Sequence, residues 1–149
     1  DFVWDVVGPS GRISGFFDSI KGTVEEMGIG DLVELNDAVT FDDLGQLYDR
    51  ANIYVQPSIE EGFCLTALDA AAVGLPVIAS PAGALPDIVE ASGGILVESE
   101  PQLLADAIVE FIRAEGWADP HEVSVRVRSK FSWGAAATSL VALYEGIDA

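Results

Sequence analysis

The chain has 149 residues, half of them hydrophobic, which suits one folded domain and argues against disorder. Its 25 acids against 7 bases give a net charge of -18, a balance that repels nucleic acid and anionic membranes. The single cysteine, Cys64, excludes an internal disulfide and the common zinc patterns, and the single histidine, His121, argues against a Ser-His-Asp triad or a histidine metal site.

No apolar run approaches the roughly 20 residues that span a bilayer, so no transmembrane segment is expected. The start, Asp1-Phe2-Val3-Trp4-Asp5, lacks the basic region of a signal peptide and reads as the inside of a strand. The expectation is a cytoplasmic protein seen as a fragment. Lys21 and Lys130 are the sole lysines. Lysine scarcity beside acid excess points to a salt-adapted organism, in which screening relieves self-repulsion.

In chain order, Val3 to Val7 forms a strand that ends at Gly8-Pro9-Ser10-Gly11. Ile13 to Met27 carries a helix with Phe16, Phe17, Ile20, Val24 and Met27 near helical spacing. Leu32 to Leu35 is a second strand. Asp42 or Asp43 caps a helix with Leu44, Leu47 and Tyr48 that ends near Arg50. Ile53 to Val55 is a third strand, stopped by Pro57. The alanine-rich stretch Ala67 to Val73 is helical, with Gly74 as its terminator. Pro76 to Ala79 is a fourth strand, Asp87 to Glu90 a short helix, and Gly94 to Val97 a fifth strand. Pro101 opens a helix through Ala114, and the remaining tail is helical, including the segment with His121.

This alternation of apolar strands and helices predicts an α/β domain, a Rossmann-like doubly wound parallel sheet with helices on both faces. Such sheets bind ligands beyond the carboxyl ends of their strands. The loops after Val7, Leu35, Val55 and Ala79 are therefore the candidate sites. The richest is Pro57-Ser58-Ile59-Glu60-Glu61-Gly62-Phe63-Cys64-Leu65-Thr66-Ala67-Leu68-Asp69. It joins a strand to a helix start through an acid and a glycine. Free amides near Cys64, Leu65 and Thr66 and the helix dipole make a phosphate site there. Gly62 lets a ligand approach the backbone. By itself, a strand-glycine-helix loop is also an ordinary structural turn.

The stretch from Pro57 to Ala79 resembles the signature P-S-x-x-E-G-F-G-L-x-x-x-E-A-x-A-x-G-x-P-V-[IV]-A-[ST] of the retaining GT-B glycosyltransferases of the group 1 family. The likeness continues in Gly83, Pro86 to Val89 and Gly94 to Val97, and upstream in Asp43 to Ile53. It spans about residues 3 to 112. The resemblance implies the C-terminal, nucleotide-sugar-binding half of a GT-B fold, with residues 1–149 as that one domain. The first strand-helix segment of the domain and the N-terminal acceptor domain would lie outside this chain. A nucleotide-diphosphate sugar would be the donor substrate. No Asp-x-Asp occurs, so no metal or other cofactor is implied.

The family's two acids stand eight positions apart, a spacing that Glu61 and Asp69 meet and Glu60 does not. By resemblance, Glu61 is the catalytic acid, contacting donor-sugar hydroxyls near the reacting carbon. Gly62, Phe63, Cys64, Leu65 and Thr66 hold sugar and diphosphate, and Asp69 hydrogen-bonds the ribose. The loop from Asn36 to Thr40 would lie near the base, and Gly83 and Ala84 near the sugar or phosphate. Arg12 could meet a phosphate or be a solvated loop arginine.

Two residues depart from the family pattern. Position 64 is usually glycine, and a left-handed conformation there costs a cysteine of order 1 kcal/mol. Asp69 replaces a glutamate and is shorter by roughly 1.5 Å. Cys64 has no base near it in sequence, so it is read as a small buried side chain rather than a nucleophile. Two other readings stand beside transferase: a sugar-nucleotide epimerase on the same fold, and a non-catalytic nucleotide-binding or assembly module with a drifted motif.

The charge reading is testable at once. Melting temperature should rise steeply as KCl is raised toward molar concentrations, and a flat melting series would remove salt adaptation from the account.

Overall fold

A computed structural model describes residues 2–9, 15–114 and 118–147. The expectation for Arg12 lies outside these. The fold is parallel α/β, in two compact units, Asp1–Arg50 and Ala51–Ala149. The strands form two parallel ladders, one in each unit.

In the first unit, β1 (Trp4–Val7) pairs with β2 (Val33–Asn36), Trp4 opposite Val33. Helix α1 (Phe16–Glu26) and a 3-10 turn (Gly30–Leu32) connect them, and α2 (Phe41–Arg50) follows. The helical stripe expected on α1 is narrower than its sequence implies. Phe17, Ile20 and Val24 are half-buried, whereas Phe16 and Met27 are exposed. Helix α2 is capped by Thr40 rather than by an aspartate. Asp43 donates its amide to Thr40 Oγ1, and that hydroxyl donates back to the Asp43 carboxylate at 2.7 Å. Arg50 at the end of α2 bridges Asp5 on β1 (2.6 Å) and Glu34 on β2 (3.1 Å).

The second unit holds the larger core. β3 (Tyr54–Gln56), β4 (Val77–Ala79) and β5 (Ile95–Leu96) pair in that order. α3 (Leu65–Ala72) and α4 (Leu85–Ser92) are the crossovers between them. All three residues of β4 are fully buried, as expected of a central strand without polar alternation. Ala67, Ala70 and Ala71 of α3 are also fully buried, because a methyl side chain lets the helix lie close on the sheet. Ser92 is one of two buried polar residues of this unit among those described, with Ser80, and is satisfied. It accepts from the Val77 amide and donates to Val89 O.

After β5 come α5 (Pro101–Arg113), α6 (Pro120–Lys130) and α7 (Trp133–Ile147). Helix α6 starts near the ends of α3 and α4. Asp119 caps it, and His121 lies exposed in its first turn. Gly74, at φ 102°, has no room for a side chain because Pro120 packs on it. Val123 and Val127, one helical turn apart, are buried, whereas Val125 faces solvent. Three cations tie α6 down. Arg126 donates to Ala91 O at 2.6 Å and Arg128 to Ala72 O at 3.0 Å, at the carboxyl ends of α4 and α3. Lys130 pairs with Glu90 at 2.9 Å and holds that carboxyl below its usual range.

Val123→Ala and Val127→Ala should each cost roughly 2 kcal/mol, against less than about 0.5 kcal/mol for Val125→Ala. Urea denaturation of the three variants checks the order.

Candidate functional site

The carboxyl ends of β3 and β4 open onto the amino end of α3. The chain leaves β3 at Gln56, runs through Ser58 to Phe63, and enters the helix after Cys64. Cys64 occupies the N-cap position with φ 62° and ψ 71°. It is the one non-glycine residue with positive φ among the described residues. Position 64 therefore takes the strained alternative, which costs the cysteine of order 1 kcal/mol relative to a right-handed conformation. Its side chain provides no cap hydrogen bond. The amides of Leu65 and Thr66 belong to the first turn and lie at the positive end of the dipole.

A polar chain lies beneath this turn. Cys64 Sγ is 3.6 Å from Thr66 Oγ1, which is 3.0 Å from the Tyr54 hydroxyl. The Tyr54 hydroxyl donates to Gln56 Oε1 at 2.7 Å, and Gln56 Nε2 donates to Ser58 Oγ at 2.7 Å. Ser80, the buried first residue after β4, donates its amide to Gln56 O at 3.2 Å and its hydroxyl to Ser58 O. Burial pushes the Tyr54 phenol up to about 12, and the nearby Cys64, Glu61 and Asp69 add to the rise while the Thr66 hydrogen bond opposes it. Burial also pushes the Cys64 thiol up, helped by its hydrogen bond to Glu61. The thiol thus stays protonated near neutral pH, which fits a packed side chain and not a nucleophile.

These interactions bring the sequence candidates together. Thr66 bonds to Tyr54, and Cys64, Glu61 and Asp69 lie near enough for their charges to act on the Tyr54 phenol. A side chain at Gly62 would meet nothing within 4 Å, so the space over it is open to a ligand. Phe63 behaves differently. Its ring turns to Phe131 at the end of α6, edge to face with centroids 6.1 Å apart. This anchors the loop, and Phe63 remains 47% exposed. The Leu65 side chain is exposed.

Two participants escaped the sequence reading. Tyr54 and Gln56 belong to a strand otherwise read as purely apolar, and polar residues in such a strand are the signal that marks them. Gly83, expected near the sugar or phosphate, stands at φ 54° after β4. A methyl group there would lie 2.2 Å from Gly62 O and 2.3 Å from Glu61 O. Beside the site, a cleft of about 320 Å³ is lined by Ser58, Ile59, Ser80, Ala82, Glu98 and Ser99 among others. Among the described residues no group of three or more His, Cys, Asp and Glu side chains could hold a metal ion. Nor is any helix among them long and apolar enough to cross a membrane.

Comparison with known proteins agrees with the fold. The family model described as glycosyl transferases group 1 matches residues 3–114. The chain is 32% identical over 146 residues to D-inositol 3-phosphate glycosyltransferase of Corynebacterium efficiens, an alignment covering 92% of this chain and 33% of that protein. It is 33% identical over 132 residues to MMP alpha-(1->4)-mannosyltransferase of Mycolicibacterium hassiacum, covering 82% of this chain and 31% of that one. It thus spans about a third of the length of the curated relatives it matches. Among solved structures, sucrose-phosphate synthase from Thermosynechococcus elongatus superposes with a TM-score of 0.72 at 32% identity, over 96% of this chain and 38% of that one. The catalytic domain of starch synthase IV from Arabidopsis thaliana, bound to ADP and acarbose, superposes at 0.68 with 22% identity, over 90% and 30%, and shares the fold.

The strain at position 64 can be measured. Cys64→Ala and Cys64→Gly both lose the sulfur, but only the alanine keeps a Cβ in the left-handed region. The glycine variant should be the more stable by about 0.5–1 kcal/mol in urea denaturation. The opposite order would show that the residue is not left-handed in solution.

Proposed function

The chain belongs to the group 1 glycosyl transferases, and from that premise we propose that it is the donor-binding half of a retaining, metal-independent transferase. The donor is a nucleotide-diphosphate sugar. One observation carries the reading: Glu61 and Asp69 both lie close to Tyr54, with the first-turn amides of α3 in the sequence between them. That arrangement offers a carboxylate for the sugar, amides for a diphosphate and a carboxylate for a ribose.

The chemistry follows from the charges. Transfer develops negative charge on the leaving diphosphate and positive charge at the sugar carbon. Fixed donors at the helix start stabilise the first. Glu61 contacts the sugar hydroxyls beside the second. Asp69 accepts from ribose hydroxyls, across a water if its shorter side chain falls short. Relatives named for inositol phosphate, mannosyl and sucrose-phosphate chemistry differ in their products, so the shared element is the donor side.

Among the described residues, the cations of α6 are engaged elsewhere: Arg126, Arg128 and Lys130 are held by carbonyls and carboxylates of α3 and α4. The reading assigns the diphosphate's cationic partners to the strand-helix segment that would precede β1 in the whole domain, and the acceptor surface to an N-terminal domain of the whole protein. It places the protein in the cytoplasm of a salt-adapted cell, a reading supported by the net charge of -18.

Calorimetric or NMR titration with UDP, GDP and ADP tests the site. One diphosphate should bind the 149-residue chain weakly, with no sugar transfer by the chain alone. Asp69→Ala should weaken that binding roughly tenfold. Robust turnover by this chain would overturn the division of labour. Binding of none of the three, by this chain or by one extended to the length of its relatives, would favour a non-catalytic module with a drifted motif.

A further inference from the structure

The loop that carries Glu61 rests on the segment that follows β4. Gly83 lies directly beneath the Glu61-Gly62 peptide. A methyl group on it would sit 2.2 Å from Gly62 O, 2.3 Å from Glu61 O and 2.8 Å from Glu61 C. All three are below any real carbon contact. Its φ of 54° also favours glycine. The next residue fastens the contact: the Ala84 amide donates to Gly62 O at 3.0 Å.

The support is firmer than the loop it supports. Ser80 is buried and bonded to Gln56 O and Ser58 O. Ala82 donates to Ser80 O at 2.8 Å, and Leu85 to Ala82 O at 3.1 Å. Leu85, Ile88 and Val89 then bury α4 in the core. On the other side, the Gly62 position faces open space. An added atom at Gly83 would therefore displace the Glu61-Gly62 peptide rather than the post-β4 segment.

We infer that Gly83 is a positioning residue: its bare α-carbon and the Ala84 N–H fix the Glu61-Gly62 peptide, and through it the height at which the Glu61 carboxylate meets the donor sugar. The inference rests on the donor-site reading above and adds to it a residue that touches neither sugar nor nucleotide. It acts through Glu61 alone. The first-turn amides and Asp69 belong to α3, whose place is set by its buried alanines.

That separation supplies the test. The probes are UDP, GDP and ADP, with UDP-glucose, GDP-mannose and ADP-glucose as their sugar esters. For the nucleotide that binds, the ratio of sugar-ester affinity to bare-diphosphate affinity isolates the sugar contact. Gly83→Ala should lower this ratio roughly tenfold while changing diphosphate affinity by less than about twofold. Glu61→Ala should lower the ratio to a similar extent, and adding Gly83→Ala to it should lower it no further. Amide hydrogen exchange at Ala84 should quicken in Gly83→Ala, since the bond to Gly62 O is lost.

Should the alanine variant fail to fold, an ester in place of the Gly83-Ala84 amide removes the same donor without adding bulk, and the same fall in ratio is expected. An unchanged ratio in the folded variant, or an equal loss of both affinities, would overturn the positioning role. A parent that binds no probe, both as this chain and extended to the length of its relatives, would instead overturn the donor-site reading beneath it.

Discussion

The site depends on how closely α3 can approach β4. Three alanines with no exposed surface let the helix backbone settle onto a strand that is itself wholly buried. A larger side chain at Ala67, Ala70 or Ala71 would lift the helix, and with it every group at its amino end. Because the helix cannot shift without opening the core, an eight-residue spacing in sequence becomes a fixed relation between Glu61 and Asp69. The same close approach brings Thr66 within reach of Tyr54 on the neighbouring strand. Packing density, rather than any long-range electrostatic arrangement, sets the geometry that a ligand would meet.

Helix α6 is the counterpart of that constraint. It runs across α3 and α4, burying Val123 and Val127 between them. Its arginines satisfy the last carbonyls of both helices, and Phe131 at its far end holds Phe63 in place. One helix thus fastens the carboxyl ends of α3 and α4 and the loop before α3. In a chain with so few bases, this use of cations is a structural choice with a chemical result. Positive charge stabilises the scaffold, and the amide dipoles are left to make the electropositive point at the sheet edge.

Much of this was legible in the sequence, for identifiable reasons. Unbroken apolar runs marked the strands, alanine marked α3, and Gly74 marked its end, because each reflects a local preference that the packed structure keeps. The eight-residue acid spacing was legible because strand, turn and helix are contiguous there. Other features depend on partners far apart in the chain. The contact of Phe63 with Phe131 is one, invisible in either segment alone. The seat of the Glu61-Gly62 peptide on Gly83, a residue expected near the sugar or phosphate, is another. Thr40 was overlooked as a cap because aspartates follow it, although the reciprocal bond with Asp43 follows from their three-residue spacing. The conformation of Cys64 was left open by sequence and is settled by the backbone, which turns left-handed to enter α3.

The placement of the cations also bears on encounter rates. On the proposed donor-site reading, an approaching diphosphate would meet a strongly negative molecule before it felt the short-range pull of helix amides. Those amides act over a few ångströms, whereas the net charge acts over a Debye length, about 8 Å at physiological ionic strength and about 3 Å at 1 M salt. Concentrated salt would shorten the repulsion below the reach of the amides and leave the docking contacts in place. For this chain, anion capture would then speed up as ionic strength rises, the reverse of the behaviour of a site built on lysine and arginine.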